Sequence, residues 1–198
     1  GSSFGERGLT RNEPRSASAH CATDVQLIVI NQQDFGKVRE NLLKVMVETE
    51  KFIKRAMPQF DSVSKLFREK IIYQFQKQTL DRGTQITLQG DPGEYIFFID
   101  SGTCQMSKRL EKSDQPMRVC GINDNACIGD ELLLVKNVEQ TYFYTVEVSS
   151  ENLVCYKAKA EFIATRCVEF TQNLLQTLES KHNFREKRLK KMKKVQNT

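Results

Sequence analysis

Residues 81–102 read DRGTQITLQGDPGEYIFFIDSG, and their pattern decides the architecture. Thr84–Gln89 alternates, with Ile86 and Leu88 expected to point inward, as in a half-buried strand. Gly90-Asp91-Pro92-Gly93 is a turn by composition, because glycine accepts φ values that other residues avoid and proline cannot donate to a ladder. Tyr95–Ile99 follows as an aromatic, apolar strand stopped by Ser101-Gly102. Further strands are expected over 103–110, 117–122, 141–148 and 152–157, separated by polar or glycine-containing turns. Several short strands at this spacing point to a barrel or sandwich, not to alternating βαβ units.

On either side of this region the period changes from strand to helix. Between Lys37 and Met57, apolar residues fall at Leu42, Leu43, Met46, Val47, Ile53 and Met57, which predicts an amphipathic helix stopping before Pro58. A second helix is expected over 64–78, with Leu66, Phe67, Ile71, Ile72 and Phe75 on its inner face and Asp61, Ser62 and Ser64 as candidate caps. A closing helix over 159–180 leads into a basic tail. Val25–Ile30 (VQLIVI) reads as a short buried strand.

Composition narrows the function classes. Of 198 residues, 39% are hydrophobic, enough for a core and too many for a chain disordered throughout. No window approaches the roughly 18 uncharged apolar residues of a transmembrane segment. The net charge is +5, but residues 185–194 (REKRLKKMKK) contribute +6, so the rest of the chain sums to −1. A nearly neutral body with a basic tail argues against nucleic-acid binding by the folded part. The six cysteines include no C-x-x-C pair and fit reduced thiols, hence a cytoplasmic setting. With only His20 and His182 to accompany them, no metal site is expected. No G-x-S-x-G, H-E-x-x-H or Walker loop occurs, so no catalytic residues are assigned and no enzyme is expected.

A repeat underlies the organisation. Residues 4–35 begin Phe-Gly-Glu, pass through Leu9 and Val25–Ile30, and end at Asp34-Phe35. Residues 128–162 begin Ile-Gly-Asp, pass through Leu132–Leu134 and Leu153–Tyr156, and end at Glu161-Phe162. Four segments follow from this: 1–35, the C-terminal half of a first module; 36–57, a connecting helix; 58–180, a complete second module; and 181–198, the basic tail. The chain therefore reads as a fragment of a longer protein, since half a barrel cannot pair its own edges.

The chemistry is concentrated in residues 4–18, FGERGLTRNEPRSAS. Gly5 permits close approach of backbone to a ligand, and Glu6 supplies a carboxylate acceptor beside it. Arg15 offers a planar fork of donors that suits a phosphate. A compact ligand carrying both a phosphate and a hydroxyl would satisfy all three.

This stretch closely resembles the phosphate-binding cassette of cyclic-nucleotide-binding domains, found in cAMP- and cGMP-dependent kinase regulatory regions and in catabolite activator protein. Phe4, Gly5, Glu6, Leu9, Pro14, Arg15 and Ala17 fall in register with its F-G-E…L…P-R-x-A pattern. The resemblance implies a mainly β fold with flanking helices, an eight-stranded jelly-roll barrel, here one complete module plus half of another. It implies that Glu6 accepts the ribose 2′-hydroxyl, that Arg15 holds the cyclic phosphate, and that amides of Gly5 and Ala17 add bonds to it. Ser16 stands where cGMP-selective members often carry threonine; contact with guanine and an ordinary turn serine are equally open. The ligand is cAMP or cGMP, and no other cofactor is implied.

The second module departs from this pattern at the chemistry. Its cassette reads IGDELLLVKNVEQTYFYT; Asp130 or Glu131 replaces the ribose acceptor, and no arginine occurs between Ile128 and Glu151. Lys136 lies too early to match the arginine, and Gln140 or Thr141 falls near that position. A regulatory module with a competent first site and a non-binding second is the expected function. The alternative is a non-catalytic scaffold that docks proteins, with a cilium or flagellum as its setting. Protein partners are expected, with the basic tail as a docking element. Within that tail, His182 and Arg185 interrupt a rough heptad spacing of Leu175, Leu178, Leu189 and Met192, and a solvated helix end is the expected state.

Overall fold

The computed structural model describes residue 4 and residues 17–110, 115–134 and 140–196. The chain divides into two compact units, Gly1–Val47 and Glu48–Thr198. In the first unit, residues 25–30 form no strand and lie exposed, Ile28 at 97%. The buried strand expected there is thus absent: a β-branched run becomes a strand only by pairing, and the described residues pair none of it. Helix α1, Gln32–Ala56, begins five residues earlier than the periodicity suggests. Asn31 caps it, its Oδ1 accepting from the N–H of Asp34 at 2.8 Å. The last turns of α1, from Glu48 on, belong to the second unit, where Thr49, Phe52 and Ile53 are buried.

In the second unit a 3-10 turn at Pro58–Ser62 leads to α2, Lys65–Gln74. Of the three candidate caps, Ser64 is the one used; its hydroxyl accepts from the N–H of Phe67. Eight strands follow: β1 Gln76–Asp81, β2 Gln85–Thr87, β3 Tyr95–Ser101, β4 Cys104–Lys108, β5 Met117–Ile122, β6 Cys127–Ile128, β7 Thr145–Val148 and β8 Asn152–Lys159. They form two antiparallel four-stranded sheets, ordered β1-β8-β3-β6 and β2-β7-β4-β5. The fold is mainly β with flanking helices, as expected, but its two sheets stay open instead of closing into one barrel.

Burial patterns explain this layering. In β3, Ile96, Phe97, Phe98 and Ile99 are all buried, because both faces of the first sheet are covered. On its helix-facing side, Phe98 meets Phe75 at 5.4 Å and Phe170 at 5.8 Å, and Tyr156 of β8 stacks on Phe52 at 4.1 Å. In the second sheet, β5 and β7 show the alternation of a sheet with one face in the core. Val119, Val146, Val148, Met106 and Leu153 line that core.

Three local expectations change. In β2, Thr87 is buried and Leu88 exposed, the reverse of the alternation read from sequence, because the register shifts between Gln85 and Thr87. The Thr87 hydroxyl is satisfied by donating to the carbonyl of Tyr144 at 3.1 Å. The second helix ends at Gln74, and residues 76–78 belong to β1. The closing helix is broken at Cys167 into α3, Ala160–Arg166, and α4, Val168–Gln196, where the Thr171 hydroxyl donates to the Ile163 carbonyl at 2.8 Å. No helix among the described residues is long and apolar enough to cross a membrane.

Candidate functional site

Gly5, Glu6, Arg15 and Ser16 lie outside the described residues; Ala17 is described and exposed. The cassette whose geometry is visible is the one in the second unit. It begins where β6 ends, at Gly129, with φ +79°. A Cβ there would stand 2.9 Å from the Tyr95 carbonyl and 3.1 Å from the Tyr142 ring, so both conformation and space require glycine. The left-handed residue turns the chain into a 3-10 turn, Asp130–Leu133. Leu132 then packs over Gly93, where any Cβ would run into its side chain. Tyr142 ties the cassette to β3, its hydroxyl donating to the Tyr95 carbonyl at 2.9 Å.

This turn drives two acidic side chains into the protein. Asp130 is 1% exposed and Glu131 3%. Glu131 Oε1 accepts from the N–H of Phe143 at 3.3 Å, while its Oε2 has no hydrogen-bond partner. Burial pushes the Glu131 carboxyl above the ordinary range; its own backbone N–H opposes the rise, the Asp130 carboxylate adds to it, and the Phe143 N–H opposes it further. Beside them, burial pushes the Cys127 thiol up to about 12 and the Tyr144 hydroxyl up to about 12.

Two cations answer Asp130, and neither lies in the cassette. Lys181 Nζ donates to Asp130 Oδ2 at 3.4 Å, and Arg185 Nη1 stands 3.6 Å from Oδ1. Both belong to α4. The Arg185 side chain is 8% exposed, and its guanidinium lies 5.4 Å from the Tyr144 ring centre. Lys108 stands 5.0 Å from the same ring centre and pairs with Glu186 at 3.2 Å. A groove of about 440 Å³ runs alongside, lined by Cys120, Ile122, Cys127, Lys181, Phe184 and Arg185 among others.

Sequence reasoning finds Asp130 and Glu131 but misses Lys181, Arg185 and Tyr144. It places Arg185 in a solvated helix end, whereas the structure buries it. The overlooked signal was its place on the stripe Leu178, Lys181, Arg185, Leu189, where Leu178 and Leu189 are also buried. A cation on an apolar stripe needs a buried counter-charge. Gln140, expected near the missing arginine's position, instead donates from Nε2 to the Leu132 carbonyl at 3.1 Å. Lys136 lies outside the described residues. No cluster of three or more potential metal ligands occurs among the described residues.

Residues 77–166, which span β1 to α3, match the family described as the cyclic nucleotide-binding domain. Over this region the chain resembles cyclic nucleotide-binding domains. The chain is 33% identical over 134 residues to a cAMP-dependent protein kinase regulatory subunit of Debaryomyces hansenii, covering 63% of this chain and 29% of that protein. It is 26% identical over 139 residues to the cGMP-dependent protein kinase egl-4 of Caenorhabditis elegans, covering 70% of this chain and 18% of that protein. The chain thus spans less than a third of the length of these curated relatives. Among solved structures, the regulatory domain of Toxoplasma gondii PKA with cAMP superposes with a TM-score of 0.66 at 16% identity, covering 89% of this chain and 66% of that one. At that identity the likeness carries the fold alone. Within this region, the 3-10 turn after Gly129 carries Asp130 and Glu131, both of which face protein groups.

Proposed function

We propose that this chain is the non-catalytic, nucleotide-responsive part of a longer regulatory protein. Its first cassette, residues 4–18, binds cAMP or cGMP through Glu6, Arg15 and the amides of Gly5 and Ala17, with Ser16 at the base-contacting position. The observation that carries this reading is the unbroken F-G-E…L…P-R-x-A pattern, standing in the same chain as a cyclic nucleotide-binding domain. The second module serves as a relay. Its cassette has no arginine of its own, and its acidic groups are engaged by α4 and by backbone. A phosphate placed there would meet two buried carboxyl groups and no arginine from the cassette.

Helix α1 is the natural route between the modules, since it follows the first cassette in the chain and its last turns are buried in the second unit. A ligand shifts this relay only if it binds one arrangement better than the other. Calorimetric titration of the full-length protein with each nucleotide tests the reading. Saturable binding that Arg15→Ala removes is expected; binding that survives Arg15→Ala refutes the assignment. Absence of binding by either nucleotide would favour the scaffold alternative, with docking as its activity.

A further inference from the structure

The buried charges around Asp130 have a second consequence. Arg185 lies on the same stripe of α4 as the buried Leu178 and Leu189, so the helix packs on the module by that stripe, with the charged contact to the cassette between the two leucines in sequence. Lys181, one turn earlier and 39% exposed, takes the other carboxylate oxygen. Glu186 on the adjoining face pairs with Lys108 of β4, and His182 meets Phe143 edge-on at 6.3 Å. The contact is therefore a ring of specific pairings around one buried carboxylate, not a general basic surface. The four exposed cations Lys187, Arg188, Lys190 and Lys191 do not share in it among the pairs described.

We propose that Arg185 and Lys181 form a built-in latch: they supply from α4 a counter-charge to Asp130 in a cassette that has no arginine of its own, and thereby fasten the C-terminal helix to that cassette. The position of α4 and the conformation of the Gly129–Leu133 turn are then one coupled element. If Asp130 moves away, Arg185 loses its counter-charge in a dry site, and the helix must lift to hydrate it. Lifting exposes Leu178 and Leu189, which gives the module a helix with an apolar stripe as its output. This inference deepens the relay reading of the second module and is independent of ligand binding at Arg15.

Hydrogen exchange of the full chain, resolved by segment, tests the latch with Asp130→Asn, Arg185→Met and the double variant. In Arg185→Met, exchange in residues 178–192 is expected to rise by on the order of a hundredfold, as for a buried charge deprived of its partner, while β4 and β8 stay protected. Asp130→Asn is expected to act in the same direction. The double variant removes both charges and is expected to return most of the protection, because neither group is then left unpaired. Unchanged exchange in the single variants, or effects that add in the double, would overturn the proposal. Should Arg185→Met fail to fold, the double variant is still expected to fold; its failure as well would show that Arg185 acts on something other than Asp130. A loss of nucleotide binding in Arg15→Ala leaves every one of these outcomes unaffected, so the two readings fail separately.

Discussion

Truncating Phe52 to alanine should loosen α1 from the second unit, and the structure sets the size of the effect. The ring is 4% exposed and stacks on Tyr156 at 4.1 Å with 13° between planes. Removing a buried phenylalanine costs about 3–5 kcal/mol, of which an aromatic stack accounts for about 0.5–1.5. The lower part of that range is expected here, because the Arg55 side chain is 63% exposed, lies 5.9 Å from the ring centre and can settle into part of the space. The neighbouring Ile53 is fully buried and cannot. A loss of about 3 kcal/mol corresponds to a fall in Tm of about 6–12 °C for a domain of this size. The chain has no Trp and five Tyr, so near-ultraviolet circular dichroism of tyrosine follows the melting directly. Urea titration checks the free energy independently. Phe52→Leu should lose less, since it keeps most of the apolar volume. A fall under about 2 °C in Phe52→Ala would refute the packing argument, and with it the physical basis for α1 as the relay.

Two further outcomes follow from the cassette. Gly129→Ala should destabilise by about 1–2 kcal/mol from the left-handed backbone alone, and further from the 2.9 Å approach to the Tyr95 carbonyl. Gly83→Ala, at φ +84° with nothing within 4 Å, should show only the backbone part, so equal losses at the two positions would refute the crowding at Gly129. Glu131 has a raised pKa in the folded state, so the native protein holds this proton more tightly than the unfolded chain. Its contribution to stability is therefore full below the ordinary carboxylate value of 4.5 and is lost as pH rises through the raised one. Glu131→Gln should flatten that part of the stability–pH curve measured by urea titration; an unchanged slope would contradict burial of the group.

Much of the second unit was legible. The apolar runs at Tyr95–Ile99 and 117–122 became β3 and β5, because a strand covered on one or both faces needs such residues. Ser64 capped its helix as its chemistry allows. β1 was missed: QKQTLD carries almost no strand signal, and it is a strand because β8 pairs with it from Gln76 to Asp81. The reversal at Thr87 and Leu88 has a similar origin, since a register shift moves side chains to the opposite face without any change in local pattern. The break at Cys167 rests on Thr171 reaching the Ile163 carbonyl, which no periodicity records.

The sequence by itself determined the fold class, the resemblance to cyclic nucleotide-binding domains, the glycine at the cassette's turn and the absence of an arginine from that cassette, because each is a property of residues close together in the chain. Only the tertiary structure decided which cations meet Asp130. Asp130 and Arg185 are 55 positions apart, and their pairing exists because α4 crosses the cassette at Lys181 and Arg185. In isolation Arg185 is one of seven basic residues in a ten-residue run. Burial beside a carboxylate sets it apart from the exposed Lys187, Arg188, Lys190 and Lys191, and burial is fixed by packing between distant segments, which local pattern cannot encode.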